Sequence, residues 1–387
     1  MNTSEYDLVV VGAGMFGATV AEHAARILDK KVLVIERRDH IAGNCFDYVD
    51  PETNINVHRF GSHLFHTPNE NVWNYLNRFT EFSPYEHRVF AKSEGQIYSF
   101  PMNLALLNQV FGRSFTPDEA KELIKSETRG LNPAEATNLE EKAISLVGET
   151  LYRKFIKNYT AKQWETDPKN LDPSIITRLP VRYTFDNRYF NDKYQGLPTN
   201  GYTAMFENML SHPNITVELG VDWLKQRDDY AGIPTVYTGP LDEYFNHSEG
   251  RLPWRTVDLV KEVVDTDDFQ GTSVVNYNDA EPLSTRILEW QHMDPLASER
   301  KVPGKTVITR EYSRFAGEGD EPYYPINSTE SAELVAKYKN LAKAEEEKGV
   351  FFGGRLAGYL YYDMWQAVNS AMHLFEKKIS PLFKQMI

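Results

Sequence analysis

The chain has 387 residues, 25% of them charged and 41% apolar, with a formal net charge of −13. That length holds about two to three domains around a sizeable core. The acidic balance excludes nucleic acid or an anionic membrane surface as the main partner, so an anionic substrate would require a local basic cluster. Cys45 is the single cysteine, which excludes an internal disulfide and a cysteine metal centre.

Residues 1–36 read as the start of a βαβ unit. Leu8–Val11 is a strand-like run, Gly12-Ala-Gly14-Met-Phe-Gly17 a glycine turn, and Ala18–Leu28 a helical stretch. A second apolar run, Val32–Ile35, ends in Glu36. The first run follows Glu5 and Asp7 rather than basic residues, so it does not read as a signal peptide, and no stretch of about 18 apolar residues would span a bilayer. With no address visible, the expected location is the cytoplasm.

Residues 37–67 look loop-rich, and Asn71–Phe79 has helical spacing. Val89–Phe100 reads as a hairpin turning at Gly95 and ended by Pro101. From about Leu104 to Trp164 the pattern is helical. Thr116-Pro-Asp-Glu119 is a capping-box start, and Asn138-Leu-Glu-Glu141 is another helix start. Prolines 168, 173 and 180 punctuate a segment expected to be a mobile loop. Strand-like pieces follow at Asn214–Leu219, Thr235–Thr238, Gly271–Tyr277 and Thr306–Thr309. The charged run Lys343–Lys348 suits a solvated helix end. The chain closes with Gly349–Phe352, Gly353-Gly354-Arg355, and a helix from about Met364 to Phe383.

The glycine turn carries the first chemistry. Gly12 permits the tight turn, Gly14 lets the backbone approach a pyrophosphate, and Gly17 lets helix pack on strand. The helix N-terminus then offers free N–H groups and a positive dipole end to phosphates, and Glu36 is placed to accept from a ribose diol. After Glu36 the sequence runs Arg37-Arg38-Asp39-His40-Ile41-Ala42-Gly43-Asn44, and regular strand–helix alternation stops. This resembles FAD-binding proteins of the two-dinucleotide-binding-domain type. Gly353-Gly354-Arg355 resembles their second flavin contact, although from the residues alone a plain turn serves as well.

Nine further pieces occur in order: Gly61-Ser-His63-Leu-Phe-His66, Tyr159-Thr160-Ala-Lys-Gln-Trp164, Arg178-Leu-Pro-Val-Arg182, Asn187-Arg-Tyr189-Phe, Gln195–Thr203, Thr285-Arg286, Glu311-Tyr-Ser-Arg314, Pro322-Tyr-Tyr324-Pro, and Gly354–Met364. Together they resemble, nearly end to end, the prokaryotic UDP-galactopyranose mutases. The resemblance implies an α/β (mixed α+β) fold. A Rossmann-like FAD-binding domain would comprise 1–90, about 200–240 and 340–387. A helical insert would span 104–166, and an antiparallel-sheet substrate domain 167–200 and about 250–330, with a mobile loop near 167–180.

It also implies the reaction, interconversion of UDP-galactopyranose and UDP-galactofuranose, a step toward cell-wall or surface polysaccharide. N5 of the reduced flavin acts as the nucleophile at the anomeric carbon, and UDP leaves and returns. Arg178 and Arg286 match the catalytic arginines, while His63 and His66 match the loop beside the isoalloxazine. Cofactor contacts fall on Gly12, Gly14, Phe16, Gly17, Glu36, Arg37, Gly43, Asn44, Gly61, Gly354, Arg355, Asp363 and Met364. Tyr189, Tyr324 and Tyr361 match phosphate contacts. Phe155, Tyr159, Thr160 and Trp164 match the uridine end, and Asn276 also falls in the substrate set. A homodimer and a reductant such as NAD(P)H are implied.

The residues by themselves leave other readings open. Phe155 and Tyr159, four apart, equally suit a helix core stripe. His63 and His66 could be core or solvated histidines, and no third ligand stands near them in sequence, so no metal is expected. Ala42 departs from the family's Gly-Gly-Asn, and a positive φ there would be costly. An FAD-dependent oxidoreductase of the amine-oxidase type and a non-catalytic nucleotide sensor are the competing functions. The arginine and tyrosine complement favours the mutase, because an oxidase has no use for a diphosphate clamp. Galactose, N-acetylgalactosamine and arabinose all remain open as the sugar.

Overall fold

The computed structural model describes residues 5–176 and 181–384. The apolar runs that follow the glycine logic build a five-stranded parallel sheet. Its spatial order is Ile215–Leu219, Val32–Glu36, Leu8–Val11, Thr235–Tyr237 and Val350–Phe352. Helix Met15–Leu28 covers one face. It packs against the closing helix, Met364–Leu374, which continues through a π turn at Phe375–Ile379 to Ser380–Lys384. Val20, Ala24, Val368, Ala371, Phe375 and Ile379 share the core between them, each 3% exposed or less. The inner strands Leu8–Val11, Val32–Glu36 and Thr235–Tyr237 are buried on both faces, which is why they read as continuous apolar runs.

A seven-stranded sheet lies beside it, in the order Tyr324–Pro325, Trp254–Val264, Thr306–Phe315, Arg286–Glu289, Val274–Tyr277, Val89–Ser93 and Gln96–Phe100. Its pairs are antiparallel except Val274–Tyr277 with Val89–Ser93, which run parallel. The predicted hairpin, turning through Glu94 and Gly95 at positive φ, is thus an edge of this sheet. Two short ladders were hidden in apparent loop. Asp47–Val49 pairs with Asn56–His58, and Phe65–Thr67 pairs with Tyr194–Pro198, which also pairs with Phe82–Pro84.

The helical stretch has its own core, including Leu106, Leu107, Leu139, Ala143, Val147 and Leu151, all fully buried. The Thr116 hydroxyl accepts from the Glu119 N–H at 3.3 Å, and Glu119 accepts from the Thr116 N–H at 2.7 Å, completing the capping box. Asn138 caps Leu139–Val147. Beyond Trp164 the chain makes short turns at Pro168–Asn170 and Pro173–Ile175. Among the described residues no helix is long and apolar enough to cross a membrane.

Candidate active site

A long cavity opens at the C-terminal ends of the parallel strands, where ligands bind in doubly wound sheets. The three fingerprint glycines divide the work there. A Cβ on Gly12 (φ 105°) would stand 2.1 Å from Thr238 Oγ1, and one on Gly17 would stand 2.0 Å from the Gly12 carbonyl oxygen. Both are demanded by the protein's own packing. A Cβ on Gly14 would meet nothing nearer than the Gly43 Cα at 3.8 Å, so its bare backbone faces the cavity. Among the described residues no side chain caps the helix that starts at Met15, which leaves its N–H groups to a ligand.

Glu36 ends its strand on the cavity wall. Its carboxylate accepts from the Ala13 N–H at 2.9 Å and the Arg38 N–H at 3.0 Å, and each oxygen keeps a lone pair. Arg37 lines the cavity between Glu243 (3.4 Å) and Glu321 (3.3 Å). Arg38 binds Glu321 (2.8 Å) and Asn44 Oδ1 (3.0 Å). Ala42 adopts φ 72°, the conformation its Cβ disfavours, while its N–H donates to the Ala13 carbonyl at 3.0 Å. At Gly43 a Cβ would press the Gly14 Cα at 3.1 Å, so the two glycine backbones lie against each other.

At the far end, Phe16 explains both late glycines. A Cβ on Gly353 would collide with its ring at 2.1 Å, and one on Gly354 would touch its Cβ at 3.3 Å. Asp363 precedes helix Met364–Leu374, its N–H donating to Gln366 Oε1 at 2.8 Å, and Met364 Sδ accepts from the Cys45 thiol at 3.6 Å. Arg355 is the informative residue. Its guanidinium lies 5.0 Å from the ring centres of both Tyr324 and Tyr361, and its Nε and Nη2 are buried without a hydrogen-bond partner among the described residues. Buried guanidinium donors left unpaired in this way are expensive, which marks them as waiting for an anionic or carbonyl acceptor.

His63 faces the cavity, whereas His66 does not line it. The His63 Nδ1 is 2.9 Å from the Gly61 carbonyl, and its backbone N–H donates to His58 Nδ1 at 3.1 Å. Burial and neighbouring His58 push the His63 pKa down to about 4, so the ring is neutral with Nε2 as its free acceptor. His66 stacks on Phe190 with centres 3.6 Å apart and pairs with Asp192 at 2.5 Å. The two imidazoles therefore have separate partners. Elsewhere Asp268, Glu289 and His292 bring ligand-type atoms within 4.8 Å of one another. The fully buried Glu289 carboxylate already accepts from the Phe269 and Gln270 N–H groups, Gln291 and Thr306.

The residues expected on the substrate side gather beside this end. Arg286 and Glu311 sit directly opposite on neighbouring strands and form an ion pair. Burial opposes the arginine's charge, but Glu311 outweighs it and raises its pKa. Gly61 (φ 88°) passes over that carboxylate, and a Cβ there would come 3.4 Å from Glu311 Oε1. Burial pushes the Tyr159 hydroxyl up to about 12, and it senses Arg286, Glu311, Tyr189 and Tyr324. Tyr324 and Tyr361 stack with centres 5.8 Å apart, and Tyr361 is 61% exposed. Tyr189 lies edge-on to His87, in a loop that Arg182 braces through the carbonyls of Arg188 and Tyr189. Asn276 faces Arg286 across its strand pair.

Phe155 is 2% exposed and lies edge-on to Tyr98 within the helical core, where a core-stripe residue would stand. Thr160 is also buried, while Trp164 keeps a half-exposed ring under the Arg255 guanidinium. Arg178 lies outside the described residues. Trp223, Thr238, Glu243 and Glu321 also stand on the cavity wall, outside every motif singled out above. The position of Thr238 just beyond a parallel strand was the available signal.

The sequence profile for UDP-galactopyranose mutase matches residues 154–361, and that for an NAD(P)-binding Rossmann-like domain matches residues 10–79. The chain is 42% identical over 380 residues to a probable UDP-galactopyranose mutase of Klebsiella pneumoniae, covering 98% of this chain and 96% of that protein. It is 39% identical over 373 residues to a dTDP-fucopyranose mutase of Escherichia coli, covering 94% and 96%. A crystal structure of reduced UDP-galactopyranose mutase superposes with a TM-score of 0.69 at 13% identity, covering 96% of each chain. The chain belongs to the UDP-galactopyranose mutase family.

Proposed function

We propose that the protein interconverts UDP-galactopyranose and UDP-galactofuranose with reduced FAD as cofactor. The observation that carries this reading is the junction of the two sites. Arg355 lines the dinucleotide cavity with unpaired donors, and its guanidinium lies against Tyr324, which in turn interacts with Arg286. The cavity suits FAD: the bare Gly14 backbone and uncapped helix for the pyrophosphate, Glu36 for the ribose, and Arg355 with neutral His63 at the far end. When bound and reduced, the flavin supplies a nucleophilic nitrogen for the anomeric carbon.

The chain's own groups handle the leaving diphosphate. Arg286, kept charged and aimed by Glu311, stabilises the negative charge that grows on the β-phosphate as the sugar bond breaks, and holds UDP for return. The hydroxyls of Tyr189, Tyr324 and Tyr361 supply further donors, and with its pKa at about 12 Tyr159 also keeps its proton at neutral pH. Tyr159 and Trp164 take the nucleobase end, and Arg178 is assigned to the diphosphate with Arg286. The division into a cofactor unit, a helical insert and a substrate sheet, a homodimer, a cytoplasmic location and an external reductant belong to the same reading.

Incubating UDP-galactofuranose with the protein, with and without dithionite, tests it. Pyranose formed only under reduction is expected. Steady oxygen consumption with an amine and no sugar product would favour the amine-oxidase alternative. The fucopyranose-mutase relative supports a second reading, a dTDP-6-deoxyhexose substrate. Parallel kcat/KM measurements with the two nucleotide sugars decide between them.

A further inference from the structure

The helix bearing Tyr159 and Trp164 is fastened at two points to the segment that leads into Arg286. Lys162 aims its ammonium at three backbone carbonyls of that segment: Tyr277 at 2.6 Å, Pro282 at 2.9 Å and Ser284 at 3.1 Å. All three N–H donors are used, and the cation closes the mouth of the hairpin between Val274–Tyr277 and Arg286–Glu289. The second point is Asn278, 3% exposed, whose Nδ2 donates to the Phe155 carbonyl. That carbonyl lies in the π turn Tyr152–Ile156, where the regular helical ladder is interrupted. From the hairpin the constraint passes directly to the clamp: Tyr277 N–H donates to the Thr285 carbonyl at 2.9 Å, and Thr285 N–H donates to the Glu311 carbonyl at 2.8 Å.

We propose that Lys162, with Asn278, is a positioning residue that locks the nucleobase-binding helix and the Arg286–Glu311 clamp into one rigid unit, so that the base and the diphosphate are bound in register. Lys162 acts through the backbone it holds and touches neither end of the nucleotide. The proposal rests on Tyr159 and Trp164 being the nucleobase end. It also predicts a pH dependence. Burial lowers the Lys162 pKa to about 8, with Asp279 and Glu281 of the fastened loop opposing the fall. Tyr277 at the loop root and Tyr159 on the same helix have raised pKa values, so they do not titrate in that range. Above pH 8 the neutral amine has two donors for three carbonyls and loses its charge.

The test is UDP affinity of the FAD-loaded protein, by calorimetry from pH 7 to pH 9.5, for wild type, Lys162→Met and Asn278→Ala. Flavin content is measured alongside. At pH 7, K162M should bind UDP about tenfold more weakly, the value of one charge-assisted contact, with unchanged flavin content. The ratio of the two affinities should shrink toward one by pH 9.5, and ionisation of UDP itself cancels in that ratio. A K162M affinity within twofold of wild type at pH 7, or a tenfold ratio that does not change with pH, overturns the proposal. If K162M does not fold, N278A decides: weakened UDP binding at full flavin content supports the latch, and wild-type affinity overturns it. Failure of the wild type to bind UDP at pH 7 would instead refute the nucleobase reading, and the latch with it.

Discussion

The division of labour among the fingerprint glycines predicts opposite outcomes for two similar substitutions. In Gly17→Ala the new methyl lands 2.0 Å from the Gly12 carbonyl oxygen, in the turn that follows the strand, and 3.1 Å from Val10 Cγ1 on the strand itself. Backbone cannot move aside cheaply, so apo-protein stability should fall by about 3 kcal/mol, the upper range for overpacking. In Gly14→Ala the methyl meets no protein atom within 3.8 Å of it, and the residue is extended at φ −82°, ψ −173°, which alanine accepts. Apo stability should stay within about 0.5 kcal/mol of wild type, as at an unconstrained position. The methyl does occupy the space where a pyrophosphate approaches.

FAD at a hundredfold excess over Kd stabilises wild type by about 2.7 kcal/mol, and a hundredfold loss of affinity leaves about 0.4 kcal/mol of that. Urea unfolding with and without FAD, for all three proteins, reads both quantities. A G14A protein that keeps the full FAD-linked stabilisation, or that loses as much apo stability as G17A, would refute the assignment.

Further outcomes follow from other residues. Ala42→Gly relieves a left-handed strain of about 1–2 kcal/mol and returns part of it as unfolded-chain entropy, so chemical denaturation should show a net gain of about 0.5–1 kcal/mol. A loss of stability would contradict the strain. Arg286→Ala should cut turnover at least about hundredfold while the protein still purifies with flavin, checked by the visible spectrum and steady-state rates. Phe155→Ala should cost about 3–5 kcal/mol of stability as a core cavity, whereas Tyr159→Phe should leave stability near wild type and weaken nucleotide binding. At Glu22 burial raises the carboxyl pKa, but hydrogen bonds to His23 and Arg26 outweigh it and hold the pKa at about 2, below the ordinary 4.5. A depressed folded-state pKa stabilises above pH 4.5 and is lost as pH falls through 2. The melting-temperature gap between wild type and Glu22→Gln should therefore close on acidification across that window.

What the sequence revealed was local chemistry. The capping box at Thr116, the hairpin at Gly95 and the glycine turn each depend on a few adjacent residues, and each stands where its residues predict. Strand Thr306–Phe315 was seen only to Thr309, because Arg310, Glu311 and Arg314 interrupt the apolar pattern. Those charges are neutralised across the sheet by Glu262 at 2.7 Å, Arg286, and Asp258 at 2.8 Å. Glu321 reaches Arg37 and Arg38 from the other end of the chain, a pairing that only the tertiary fold creates. Phe155 and Tyr159 share one spacing but face different surroundings, and periodicity carries no information about which of them meets solvent.

The central claim is that a reduced flavin serves a reaction with no net redox change. Anaerobic enzyme given a single two-electron reduction per flavin, then supplied with excess UDP-galactofuranose, measures this directly through product formed per electron pair. Many UDP-galactopyranose molecules per flavin are expected, with the flavin still reduced at the end. One product per electron pair, with the flavin left oxidised, would contradict it.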